Sequence, residues 1–293
     1  MQTAELLRKV RRLEIRSRHL VEDLFAGRSE SVFKGRGVDF EEVRRYVPGD
    51  EVRDIDWNVS ARMGEPYVKR FVEERELSVM LVVDVSRSMR FGTVGQEKHE
   101  LAAELCAVLG FAAMSNNDKV GLLLVADRVT HFVPPARGRT HLLRMLRDVL
   151  DATPIQGGTK LSEAARFLMS TSHRRQVVFW ISDFEDAPEV KDWRVMSRRH
   201  DLTAIEIRDP RDELLPAVGW VEIEDLETGR RALVNTRDKK YRERYQREAH
   251  RRQQASRQAL AQARCPLIEL RTDRSYLPLL MRYFKRRRRG RAK

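Results

Sequence analysis

From Leu77 onward, short and almost purely apolar runs alternate with stretches of helical period, which constrains the fold more than any other feature of the chain. Strands buried on both faces read as continuous apolar runs, and helix-length connections between them favour a parallel sheet wrapped by helices. Ser78–Val83, Lys119–Ala126, Gln176–Ser182, Leu202–Ile207 and Leu267–Leu270 are runs of this kind. Glu97–Ser115, Thr140–Leu150 and Leu161–Ser172 lie among them and repeat their apolar residues at helical spacing. Val129–Val133 follows its predecessor too closely for a crossover helix, so an antiparallel edge strand is predicted there. Val218–Glu224 and Arg231–Val234 read as a hairpin inserted before a long helix over 237–264, and Ser275–Phe284 as a closing helix. The expectation for residues 77–284 is an α/β domain, a doubly wound and mostly parallel sheet flanked by helices, with a hairpin inserted at 218–234.

Residues 1–76 read as a helical and irregular extension. Leu6, Leu7, Val10, Leu13, Leu20, Val21 and Leu24 give residues 3–25 an apolar stripe of helical period. Residues 38–76 are rich in charge and turn residues, yet Phe40, Val43, Tyr46, Val52, Ile55 and Trp57 anchor them too often for a disordered segment. Tyr67–Glu74 reads as a strand leading into the domain.

The net charge of +13 is localised. Residues 282–293 carry eight basic side chains and no acidic one, and residues 230–264 carry twelve against three, which leaves the remainder mildly acidic. Such runs attract phosphates without sequence preference, so weak nucleic-acid binding through 237–264 and the basic tail 285–293 is one expectation. No recognised nucleic-acid module accompanies them. No run approaches the roughly 18 apolar residues of a membrane helix, and the first residues lack a secretory core. A soluble, cytoplasmic protein is expected. Cys106 falls at helical spacing among Leu101, Leu105 and Leu109, and Cys265 precedes Pro266, so neither has a metal-ligand neighbour.

Three features fall where strands of an open α/β sheet end, the place where such sheets gather ligands. Asp84-Val-Ser86-Arg-Ser88 leaves the first apolar run, Gly157-Gly158-Thr159 precedes a helix, and Ile181-Ser182-Asp183 leaves the third run. Asp84, Ser86, Ser88, Thr159 and Asp183 make an all-oxygen set, which suits a hard cation such as Mg²⁺, Ca²⁺ or Mn²⁺. Taken alone, Asp84–Ser88 fits a helix-capping turn equally well. Together the three features favour a metal site, and with two carboxylates the ion would keep an open position for a carboxylate from another protein. Arg87, between two of the hydroxyls, is the one residue whose charge opposes a cation.

These features resemble the metal-ion-dependent adhesion site of von Willebrand factor type A domains, whose five expected positions are all filled here. The resemblance implies that Asp84, Ser86 and Ser88 supply the first metal loop, Thr159 the second, and Asp183 the third, partly through water. Upstream, Gly35-x-Gly37-x-Asp39-Phe40, Arg44-x-Tyr46-x-Pro48-Gly49-Asp50 and Arg53-x-x-Asp56-Trp57-x-x-Ser60-Ala61-Arg62 resemble the bacterial "domain of unknown function 58" family. Glu73-Glu74-Arg75 and Thr272-Asp273-Arg274 fit it too. Members of that family resemble adaptors encoded beside MoxR-type ATPases of the AAA+ class, and this chain looks like their short soluble form. Pro48-Gly49 reads as a turn, and Asp50, Arg53, Asp56 and Arg62 either pair locally or dock a partner.

Catalysis is not indicated. The sequence lacks a G-x-x-x-x-G-K-[ST] loop and an H-E-x-x-H helix, and its seven histidines are scattered. The expected function is therefore a non-enzymatic adaptor whose divalent ion, Mg²⁺ first among candidates, engages an acidic residue of a MoxR-type AAA+ ATPase or of its client. A nucleic-acid-associated protein is the alternative, and a Mg²⁺-dependent hydrolase a further one.

Overall fold

The computed structural model describes residues 3–25, 42–48, 50, 52, 55–70, 77–154, 159–172, 174–226 and 229–289. The chain divides into two compact units, residues 33–77 and the remainder. Helix α1 (Thr3–Phe25) belongs to the larger unit, unlike the division at residue 76 expected from composition.

The smaller unit is ordered by short-range chemistry. Strand β1 (Glu42–Arg45) pairs antiparallel with β2 (Tyr67–Arg70), and between them runs helix α2 (Trp57–Met63). Asp56 caps α2 by accepting from the amides of Asn58 and Val59, and Gly64 ends it at φ 72°, a left-handed conformation that glycine adopts without strain. Arg44 grips Asp50 with both terminal nitrogens, at 2.8 and 2.6 Å, so this part of the charged block is a local ion pair. Of the strand expected over Tyr67–Glu74, the part beyond Arg70 lies outside the described residues, as do Gly35–Phe40, Gly49 and Arg53.

The larger unit is built on β3 (Ser78–Asp84), α3 (Lys98–Ser115), β4 (Lys119–Val125), β5 (Val129–Ala136), α4 (Arg139–Asp151) and α5 (Leu161–Thr171). It continues through β6 (Val177–Ser182), α6 (Val190–Arg199), β7 (Asp201–Arg208), α7 (Pro210–Glu213), β8 (Trp220–Glu224), β9 (Arg231–Asn235), α8 (Lys239–Gln262), β10 (Leu267–Arg271) and α9 (Leu277–Arg289). Six strands form one sheet in the order β10-β7-β6-β3-β4-β5, parallel except for β5. This is the α/β architecture expected, with the antiparallel strand at the edge. Pro134 and Pro135 lie in β5, a position open to proline because an edge strand has one side without a ladder.

Alternate residues of a strand face opposite sides, and both sides are apolar here. Met80, Val82, Val178, Trp180, Leu202 and Ala204 face α5, α6 and α8, where Trp180 and Trp193 pack at a tilt with 4.7 Å between centroids. On the opposite side Phe179 meets Phe284 of α9 edge-on. Helix α3 is buried around most of its circumference, from Lys98 to Ala113, because α1 and α4 cover what the sheet leaves exposed. Gly110 allows α4 to come close, since a Cβ there would collide with Leu142. α1 is tied down by Glu14, which accepts twice from Arg139, and by Arg16 on Glu104. Cys106 and Cys265 are both buried. Among the described residues, no helix is long and apolar enough to cross a membrane.

The basic tail begins later than residue 285. α9 continues to Arg289, and the Arg287 guanidinium is buried against Asp201 and Tyr283. An acidic partner one strand away turns what reads as solvated charge into a helix turn.

Candidate metal centre

β4 and β5 lie on one side of β3, and β6, β7 and β10 on the other, so the winding reverses between β3 and β6. A crevice opens at the carboxyl ends of strands at such a reversal. Asp84 is the last residue of β3, and Ser182 closes β6 with Asp183 beside it.

Asp84 gathers three loops. Its Oδ1 accepts from the Ser86 amide at 2.8 Å, and its Oδ2 accepts from the Ser182 hydroxyl at 2.6 Å and the Thr159 hydroxyl at 3.1 Å. The Ser86 and Ser88 hydroxyls lie 2.9 Å apart. Four of the five expected residues are thus joined by hydrogen bonds, and Asp183 stands close enough for its charge to act on Asp84. Burial, and then the Asp183 carboxylate, push the Asp84 pKa up to about 6, against donors at Ser182 and Ser86 that lower it. Gly157 and Gly158 lie outside the described residues.

Sequence reasoning missed a second ring of charge. Lys98, the first residue of α3, is 1% exposed and places its ammonium 3.0 Å from Asp183 and 2.9 Å from Asp212 of α7. Burial opposes that charge, but Asp183, Asp212 and Glu185 outweigh it and hold the lysine protonated above its ordinary range. Glu185 is pushed up to about 7, first by burial and then by Asp183. Lys98 is 85 residues from Asp183, and a lysine in a polar helix start gives no signal of burial. Ser182 could have been found, since a hydroxyl immediately before a strand-end aspartate is placed to serve the neighbouring strand.

The backbone beyond Asp183 is held in an uncommon conformation. Phe184 has φ 49°, in the left-handed region that bulky residues avoid. Its ring packs against Trp193 at 5.7 Å, its amide donates to the Ser182 hydroxyl at 3.0 Å, and its carbonyl accepts from Ser256 of α8 at 2.7 Å. Three fixed contacts therefore hold the turn that follows Asp183. Arg87 turns away from the hydroxyls and pairs with Glu224 of β8 at 3.0 Å. Its charge is met outside the crevice.

Among the described residues, no three histidine, cysteine, aspartate or glutamate side chains gather as a metal cage. An ion here would rest on two carboxylates, hydroxyls and water, which is the habit of Mg²⁺. The oxygen chemistry suits such an ion: the Ser182 and Thr159 hydroxyls converge on the buried Asp84 carboxylate, the Ser86 and Ser88 hydroxyls lie in the loop that follows it, and the Asp183 charge acts on it while Asp183 itself is paired with Lys98.

The family described as "Protein of unknown function DUF58" matches residues 42–255. An uncharacterized protein of Mycobacterium tuberculosis is 33% identical over 289 residues, covering 98% of this chain and 91% of that one. An uncharacterized protein of Mycobacterium avium is 30% identical over 164 residues, covering 54% of this chain and 95% of that one. Among solved structures, the conserved hypothetical protein BatB from Bacteroides thetaiotaomicron is similar at 16% identity and a TM-score of 0.44, covering 72% of this chain and 98% of that one. The SpRpn10 VWA domain is similar at 12% identity and a TM-score of 0.37, covering 70% of this chain and 94% of that one.

Proposed function

The chain belongs to the DUF58 family, and on that premise we propose that it is a non-enzymatic adaptor that captures a partner's carboxylate through a divalent ion. Asp84, Ser86, Ser88, Thr159 and Asp183 would hold the ion, Mg²⁺ or a similar hard cation. The observation that carries this reading is the convergence of the Thr159 and Ser182 hydroxyls on the buried Asp84 carboxylate, beside the Ser86 and Ser88 hydroxyls and within reach of the Asp183 charge. Lys98 already meets the Asp183 charge, and a divalent ion would meet that of Asp84. A bound ion would supply Lewis acidity toward an incoming carboxylate. The chain's own residues orient the donors and exclude water, so the attraction is stronger than in bulk solvent.

The partner that the family resemblance implies is a MoxR-type AAA+ ATPase or its client. Lys98 acts as a positioning residue in this reading. It holds Asp183 and Asp212 together, so that the Asp183 carboxylate is fixed before any ion arrives. Calorimetric titration with Mg²⁺ should give one weak site that Asp84→Ala or Asp183→Ala abolishes. Capture of a MoxR-type ATPase from the same organism should disappear in chelator and return with Mg²⁺. Unaltered titration in both variants would sink the reading.

A second reading has one specific observation behind it. Lys240, Arg244, Arg247 and Arg251 are exposed along one face of α8, a stripe of about 16 Å at 1.5 Å per residue. It would bind nucleic-acid phosphates weakly, and its affinity would fall steeply with salt. Salt-independent retention on single-stranded DNA, or none at low salt, would remove it.

A further inference from the structure

The β8–β9 hairpin lies outside the main sheet and meets the metal loop at one end. Trp220, Glu222 and Glu224 share one face of β8, because alternate residues of a strand do. Leu233 stands opposite Glu222, and Arg231 opposite Glu224, so both belong to that face. Arg231 pairs with Glu224 at 3.1 Å across it. Glu224 also holds Arg87, the residue between Ser86 and Ser88, at 3.0 Å. One hairpin face therefore runs without interruption from the metal loop to the indole of Trp220.

Beyond Glu224 this face carries two open apolar side chains on either side of Glu222. Trp220 is 68% and Leu233 67% exposed, whereas Trp180 and Trp193 are fully buried. Diagonal neighbours in an antiparallel pair lie about 7–8 Å apart, near enough for one inserted side chain to touch both. At about 3.4 Å per residue, Leu233 is about 7 Å and Trp220 about 13 Å along the strands from Glu224. Cations border the patch. Arg231 at one end is met by Glu224 and Glu222 of the same face, and at the other the exposed Arg237 brings its Nε beside Gly219, next to Trp220.

We propose, resting on the metal-dependent reading above, that this face selects the segment whose carboxylate reaches the ion. The occupant is an extended segment of a partner protein, with an acidic residue at the metal and an apolar side chain seated between Trp220 and Leu233. The Arg237 guanidinium at the Trp220 end suits the negative charge of that segment, and an open tryptophan is a frequent anchor of a protein interface. With the Arg87 side chain spanning the gap from loop to hairpin, the apolar residue falls roughly four to six positions from the acidic one.

The test uses synthetic dodecapeptides of serine with one Asp and one Leu, the Leu placed two to eight residues from the Asp. Their binding to the full chain is read by fluorescence polarisation in Mg²⁺ and in chelator. Binding should require Mg²⁺ and should be tightest with Leu four to six residues away, about tenfold above a peptide without Leu. Trp220→Ala and Leu233→Ser should each erase that tenfold advantage while leaving the calorimetric Mg²⁺ titration as in wild type. Mg²⁺-dependent binding that ignores both the Leu position and Trp220→Ala overturns the hairpin proposal and leaves the metal reading standing. Absence of Mg²⁺-dependent binding by every peptide overturns both. A wild-type dimer that Trp220→Ala converts to monomer would assign the patch to a second copy of the chain and overturn the proposed occupant.

Discussion

Two aspartates at the carboxyl ends of parallel strands, Asp84 after β3 and Asp209 after β7, are both fully buried, yet their electrostatics differ in sign. Asp209 accepts from the Thr93 amide and hydroxyl, the Thr272 hydroxyl and the Arg211 amide, two donors on each oxygen. Burial would raise its pKa, but those donors outweigh burial and hold it below the ordinary aspartate range. Asp84 has three donors and a second carboxylate near enough for its charge to act, and burial with that charge lifts it to about 6. A strand-end carboxylate whose lone pairs are filled by fixed donors is a structural knot. Asp84, with one donor on Oδ1, two on Oδ2 and a like charge acting on it, is the one that a cation would relieve under the proposed metal-dependent reading.

The largest expected effect tests the knot. Asp209→Ala leaves the Thr93 amide, two hydroxyls and the start of α7 without their acceptor, which should destabilise the fold by about 3–5 kcal/mol. Thermal unfolding should then shift down by about 10 °C. Asp84→Asn should behave oppositely in metal-free protein, with no fall in Tm, because it keeps the shape of the side chain and removes the repulsion with Asp183. Its Mg²⁺ heat should vanish. Equal destabilisation by the two variants would erase the distinction between knot and site.

The pH dependence sharpens the same contrast. With a folded pKa of about 6 against 3.8 unfolded, Asp84 takes up a proton in the folded state first. Its ionisation therefore costs stability as pH rises through about 6, and the cost disappears below the unfolded pKa. Metal-free Asp84→Asn should exceed wild type by on the order of 3 kcal/mol at pH 7, with the gap closing toward pH 4 in urea titrations. Asp209 runs the other way. Its contribution is present above the ordinary aspartate pKa and fades in stronger acid, as pH falls through its lowered folded value. The smallest effect is that of Thr159→Ala, which should weaken Mg²⁺ about tenfold and cost under about 1 kcal/mol of stability, since Thr159 lies on a loop and donates one bond of 3.1 Å. A larger loss of stability would mean that this loop belongs with the knot.

How much of this was written in the sequence depended on distance along the chain. β3, β4 and β6 were legible because both faces of each are buried, so Met80–Val83, Leu122–Val125 and Val177–Ile181 have no polar interruption. The edge position of β5 followed from the shortness of its connection. Asp84, Ser86 and Ser88 were legible as a local pattern, and the strand ends placed Thr159 and Asp183 with them. Lys98, Glu185 and Asp212 were not, because a buried ion pair leaves no periodicity and its members come from α3, the loop after β6 and α7. The same blindness affected Arg287, read as tail because Asp201 is 86 residues away. The helix α2 was hidden for another reason: seven residues capped by Asp56 show no buried stripe, since none of them is buried.

The two cysteines have a practical consequence for anyone wishing to watch the hairpin. Alkylating reagents attack the thiolate, and burial pushes the Cys106 thiol up and the Cys265 thiol to about 12. Both sulfurs lie under packed side chains, away from reagent at neutral pH. A maleimide dye would therefore ignore the native chain and couple to Leu233→Cys alone, giving one fluorophore per molecule at the rim of the crevice without first removing either natural thiol.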